Sequence, residues 1–349
     1  MNEKIPKVPK LKKLYDLALK FKELRCWEYM EDTDMFGVMR PGDGLIGYVC
    51  ILGNAGEVFG INAYLGPRGL HGYLKILSGE IYKESLEMMS SQYCISLTYE
   101  EDESYLGKRD KSVLNELCIY SKSKKALPFF RTYIPGYYPW YLTEEEVEFF
   151  EIILEQSIDV CRRFKHERNL FKTDKENYYF IRVPYKSNNN VLWKDKFIEA
   201  EPYREKWEDV QINEVKLKKI LKKRPQRKGL WEIGCDFFPL RINDGKSRPY
   251  MPLVFLGIDA ETGEILGHSV SSLRKQNLLV AEEILNLAGK LNTIPETLIV
   301  SNRNLKKILT PLSERLDVPV RFRRKPIYYE EAANSMIDYL NSGPQGNHS

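Results

Sequence analysis

One stretch constrains the folding of this chain more than any other: PLVFLGIDAETGEILGHSV, Pro252 to Val270. An apolar run reaches Asp259, the segment Asp-Ala-Glu-Thr-Gly follows, and a second run leads away through His268. Gly263 suits the positive φ that such a turn demands, so the two runs are predicted to close as a β-hairpin. Asp is favoured at the mouth of a turn because its carboxylate accepts from nearby backbone N–H groups, and Asp259 therefore reads as structural.

The pattern on either side is regular. WEIGCDFFPLRI (231–242) reads as a strand before the hairpin, whose own strands are MPLVFLGIDA (251–260) and EILGHSVSS (264–272). NLLVAEEILNLAGKL (277–291) has helical periodicity, TLIVS (297–301) is a buried-looking strand, and NLKKILTPLSERL (304–316) is a helical stretch interrupted at Pro311. VPVRFRRK (318–325) makes a fifth strand and YYEEAANSMIDYL (328–340) a last helix.

That order, βββαβαβα, resembles the ribonuclease H-like fold, and GIDAETGEILG is similar to the hairpin between the second and third strands of retroviral-integrase and transposase cores. The pairing of this region with the preceding half also resembles bacterial proteins of domain-of-unknown-function type. The resemblance implies an α/β ribonuclease H-like domain over residues 230–341. Active members of that superfamily hold two divalent ions on acidic side chains, which clamp the attacking and leaving oxygens of a phosphodiester. It implies Asp236 as the first acid, Ser301 and Asn302 where a second acid belongs, and Glu330 or Glu331, or else Asp338, as the third. An amide can ligate a hard cation but adds no charge to hold it, and Asn is well suited to cap the helix that follows a strand. The reading is thus a degenerate domain without cofactor, and no enzyme. Its alternative is a Mg²⁺- or Mn²⁺-dependent nuclease or transposase-like enzyme using Asp236, Asn302 and Glu330 or Glu331.

The first half differs in texture. KLKKLYDLALKFKELR (10–25) is an amphipathic helix, and Phe36 to Gly66 alternates short β-type runs with PGDG and GNAG turns, as in a small antiparallel meander. GNAGEVFG is followed by another strand instead of a helix, so it does not form a phosphate loop. Helical stretches fall near 68–90 and a strand near 93–101. PFFRTYIPGYYPWYL (128–142), with three prolines and seven aromatics, reads as a rigid lid on the core, or as a protein-binding surface if its rings are exposed. Thr143 and Glu146 form a capping-box pattern opening the next helix. The expectation is an α+β domain of unknown role over 1–168. A hairpin and a basic helical linker follow over 169–229, and a loose tail over 342–349.

Composition limits function. With 53 Lys and Arg against 49 Asp and Glu, the net charge is only +4, which speaks against a globally basic nucleic-acid binder and directs attention to patches. Two exist: Lys222, Lys223, Arg224, Arg227 and Lys228 in KKRPQRK, and Arg321, Arg323, Arg324 and Lys325 in RFRRKP. Such clusters suit phosphates, and without a base-reading motif the contact would be sequence-tolerant. The bland reading is a solvated linker and an edge strand guarded by charge. None of the four histidines lies at metal-ligand spacing, and the six cysteines, scattered singly, read as reduced buried thiols. The first residues carry charge but no apolar leader, and no run approaches 18 apolar residues, so a cytoplasmic protein without membrane contact is expected.

Overall fold

The computed structural model of the chain describes residues 4–81, 86–122, 126–188, 190–204, 210–243, 248–272 and 276–342. The expected tail lies outside them from residue 343 on, as does Asn189 in the expected Asn-rich turn. The fold is mixed α/β in two compact units. One comprises residues 1–83 and 91–203, the other residues 84–90 together with the chain from Arg204 on.

The first unit opens on helix α1 (Val8–Leu24), whose Leu11, Leu14, Tyr15, Ala18 and Phe21 recur at three- and four-residue spacing and are buried. Strands β1 (Phe36–Met39), β2 (Ile46–Leu52) and β3 (Gly60–Leu65) form the expected meander. Helix α2 (Gly66–Leu77) follows; helix α3 (Leu86–Ser91), all but its last residue counted with the other unit, precedes strand β4 (Cys94–Glu100) in the chain. Helices α4 (Lys108–Glu116) and α5 (Ile119–Lys122) precede strand β5 (Leu127–Tyr133). Helix α6 (Glu144–His166) starts at the capping box: Glu146 N donates to Thr143 Oγ1 at 3.2 Å, and Thr143 N to Glu146 Oε2 at 2.8 Å.

Strands β6 (Tyr178–Ser187) and β7 (Asn190–Glu199) are the hairpin expected between the domains. Instead of linking, they complete a seven-stranded sheet, β5-β4-β3-β2-β1-β6-β7, with β6 parallel to β1. Helices α1 and α6 cover one face of that sheet, and α2 covers the other through Leu70 and Tyr73. The aromatic segment 128–142 packs as a lid: none of its rings is exposed, and Trp140 bridges to Thr132. Of the cysteines, Cys118 departs from expectation by lying exposed, at a left-handed residue just past α4.

A buried ion pair ties helix α4 to strand β5. Arg131 reaches Asp110 with two hydrogen bonds, of 3.0 and 2.6 Å, and both side chains are about nine-tenths buried, at 11% and 8% exposure. The same Asp110 accepts from Gly107 N at the start of α4, while the Arg131 guanidinium lies between the rings of Phe129 and Tyr141.

Besides α3, the second unit contains α7 (Glu214–Lys222), capped by Asn213 and packed on the unit through buried Leu217 and Ile220. The helical part of the basic segment thus packs on the unit through these two side chains, while Lys222, Lys223, Arg224 and Lys228 stay exposed. The short strand β8 (Gln226–Arg227) leads into β9 (Leu230–Phe237), β10 (Leu253–Asp259) and β11 (Ile265–Ser271). Helix α8 (Gln276–Leu291), strands β12 (Thr293–Ile294) and β13 (Thr297–Val300), and helix α9 (Arg303–Leu316) follow, then β14 (Val320–Phe322) and α10 (Ile327–Ser342). The sheet order is β11-β10-β9-β13-β14, with β9, β10 and β11 antiparallel and β13 and β14 parallel to β9.

The hairpin forms as its turn chemistry dictates. Asp259 Oδ1 accepts from Glu261 N at 2.8 Å and from Thr262 N at 3.0 Å, and Gly263 sits at φ 77°. Helix α9 runs through Pro311 without a break, since proline removes one donor and leaves the other bonds of the helix in place. The fifth strand is only three residues long, Val320 to Phe322, paired with Leu298 to Val300 of β13. Helix α8, with α9 beside it, covers one face of the sheet, and α10 crosses the other over β9 and β10. Among the described residues no helix is long and apolar enough to cross a membrane.

Candidate functional site

Alternation along β9 decides what faces α10. Trp231, Ile233 and Cys235 point to one side of the sheet, and Glu232, Gly234 and Asp236 to the other. Two acids on one face of a central strand are costly to bury unless each oxygen finds a donor. Glu232 is fully buried and Asp236 is 5% exposed.

One residue of α10 serves both. Tyr329 N donates to Glu232 Oε2 at 2.9 Å, and the Tyr329 hydroxyl donates to Asp236 Oδ2 at 2.5 Å. Its ring lies flat over Gly234, where a Cβ would come within 1.8 Å of it, so only glycine leaves room. Arg323 Nη1 reaches Glu232 Oε1 at 3.3 Å. Asn302 does two things: its Oδ1 accepts from Leu305 N at 2.7 Å, capping α9, and its Nδ2 approaches Asp236 Oδ1 at 3.5 Å. Ser301 stands next to the same carboxylate without completing a well-aligned bond. Burial pushes the Asp236 carboxyl above its ordinary value, against the downward pull of Tyr329 and Ser301.

Of the four residues expected around a metal, the structure brings Asp236 and Asn302 together. Glu331 faces a groove beside β11, while Glu330 is half-buried one residue earlier on α10. Asp338 is exposed two turns further on. Among the described residues no three His, Cys, Asp or Glu side chains converge on a point where one ion could sit. With the Tyr329 hydroxyl on one Asp236 oxygen and the Asn302 amide in the place of a second acid, the donor set does not fit a two-metal centre. Glu232 and Tyr329 were the residues missed. Their signal was the period-two spacing of Glu, Gly and Asp in WEIGCDF, which puts two acids on one face with a gap between them.

A raised carboxyl has a consequence for stability. A folded-state value above the unfolded one favours the folded protein at pH below the unfolded value. That contribution is lost as pH rises through the folded value. Asp236→Asn keeps an oxygen for the Tyr329 hydroxyl and removes the buried charge, so its melting temperature should match the parent's at pH 4 and exceed it at pH 8. Thermal melts across that range check this, and a gap that closes with rising pH would refute it.

The basic residues separate into two kinds. Arg227 donates to the carbonyls of Asp317 at 2.7 Å and Leu316 at 2.8 Å, satisfying the end of α9, and Arg323 is held by Glu232. Lys222, Lys223, Arg224, Lys228, Arg321, Arg324 and Lys325 are exposed. The Arg227 hydrogen bonds bring the 222–228 segment to the residues leading into β14. Arg303, at the start of α9, lies 5.0 Å from the ring of Phe322 on β14.

Comparison with known proteins agrees with the two-unit division. Residues 12–182 match a family described as a domain of unknown function (DUF7309), and residues 217–337 match a second one (DUF6930). No curated protein matches the chain. The chain thus carries matches to two domains of unknown function, the DUF7309 match preceding the DUF6930 match.

Proposed function

We propose that this chain is a non-catalytic binding protein. In this reading its second unit is a ribonuclease H-like domain whose acid position has become an internal anchor, and whose basic edge contacts nucleic acid. One observation carries it: both Asp236 oxygens are engaged, by Tyr329 and Asn302, in a place nearly closed to solvent. An acid serving two-metal chemistry needs open oxygens and a second carboxylate beside it, and here an amide and a phenol stand in that space. The order of three antiparallel and two parallel strands supports the fold assignment. The exposed Lys222, Lys223, Arg224, Lys228 and Arg321 support electrostatic contact with phosphates, with no feature that would read bases.

Titrating labelled duplex DNA, single-stranded DNA and RNA with the full chain at increasing salt tests this. The logarithm of the affinity should fall linearly with that of salt. Lys222→Ala, Lys223→Ala and Arg224→Ala together should reduce the slope by about one for each phosphate that is no longer neutralised. A flat salt response, or no binding at low salt, sinks the electrostatic reading. Mg²⁺- or Mn²⁺-dependent cleavage that Asp236→Asn abolishes would overturn the non-catalytic one.

A further inference from the structure

Every large sheet has two edges, and an uncovered edge is a template for another strand. Among the described residues, three of the four edges of the two large sheets carry protection. Strand β14 has three residues with Pro319 before it and Arg321 within it, and β7 carries Lys194, Asp195 and Lys196. Strand β5 holds Pro128, and Trp140 pairs across its outer side at Thr132. The fourth edge is β11, seven residues reading ILGHSVS, with no proline and no Lys, Arg, Asp or Glu. Among the described residues no strand pairs with its outer side.

The sheet face at β11 is open as well. Because α10 lies over β9 and β10, Ile265 and Val270 remain 49% and 58% exposed. Between α10 and β11 runs a groove of about 500 Å³, lined by Leu256, Ile265 and His268 below and by Glu331, Met336 and Tyr339 along the helix. Its surroundings are acidic. The hairpin from Asp259 to Ser271 and helix α10 together carry Asp259, Glu261, Glu264, Glu330, Glu331 and Asp338, and neither has a Lys or Arg.

We propose that this groove receives an extended segment of another protein, added to β11 as a further strand, with every second side chain in the groove: apolar beside Ile265 and Val270, and a lysine or arginine where it meets Glu331. A strand laid about 4.8 Å outside β11 satisfies the backbone groups of the edge and covers Ile265 and Val270 at once. A docked helix would fill the groove but leave those backbone groups unpaired. A second copy of β11 would bring two acidic rims together, which like-charge repulsion opposes.

The test uses the full chain and a labelled seven-residue peptide, Val-Thr-Lys-Thr-Val-Thr-Val, whose valines and single lysine share one face. Two controls accompany it: a valine–glutamate peptide with glutamate in place of that lysine, and the lysine peptide N-methylated along one edge. The first should bind, and both controls should bind at least about tenfold more weakly. Ile265→Lys and Glu331→Lys, both at exposed positions, should each weaken the probe about tenfold while leaving the melting temperature unchanged. Ala at Lys222 and Lys223 should leave probe binding unaltered. Equal binding of the valine–glutamate peptide, or indifference to N-methylation, overturns the proposal. So does a concentration-dependent dimer that Ile265→Lys disperses, because a second copy would then occupy the edge.

Discussion

Tyr329→Ala should destabilise the second unit by about 3–5 kcal/mol, the usual cost of truncating a buried aromatic ring. The ring is the packing partner of Gly234 and sits in a cluster with Phe238, Val254 and Leu256. Its removal also strips Asp236 Oδ2 of its donor. Tyr329→Phe separates the two losses: the ring stays, and the unmatched carboxylate alone costs about 1–3 kcal/mol. Combining Tyr329→Phe with Asp236→Asn should recover part of that cost, since no charge is left without a donor. Urea unfolding of the four proteins measures this. Additive effects in the double variant would show that the two side chains do not act as a pair.

Asp110→Ala should cost the first unit a similar amount, about 3–5 kcal/mol, for a different reason. The loss is not the attraction of the pair, most of which goes into offsetting the desolvation of both groups. It is the stranded Arg131, held 11% exposed between Phe129 and Tyr141 once its carboxylate partner is gone. The variant also removes the acceptor for Gly107 N at the start of α4. Asp110→Ala combined with Arg131→Met, which fills the volume without the charge, should regain most of the loss. Denaturant titration of single and double variants decides the point, and a double variant no better than Asp110→Ala would refute it.

The parts of this fold legible in sequence are those set by neighbours in the chain. The 252–270 hairpin follows from alternation and from Asp259 and Gly263, and the start of α6 from Thr143 and Glu146. What escaped reading depends on partners far along the chain. The parallel pairing of β6 with β1 joins residues near 181 to residues near 37, and no local pattern encodes it. The candidate site shows the same division. Asp236 and Asn302 were legible from strand position and capping preference. The closure of the site was not, because it rests on Tyr329, a residue 93 positions away that reads simply as an apolar position of a helix.

The Arg227 side chain bears on where the protein can be cut. It closes the end of α9 from outside the strand-and-helix core, and α7 before it buries Leu217 and Ile220. A fragment starting at Gly229 would keep all five strands of the sheet yet leave the Leu316 and Asp317 carbonyls without these donors and an apolar patch bare. The smallest autonomous piece of the C-terminal half therefore starts no later than Asn213, the residue that caps α7.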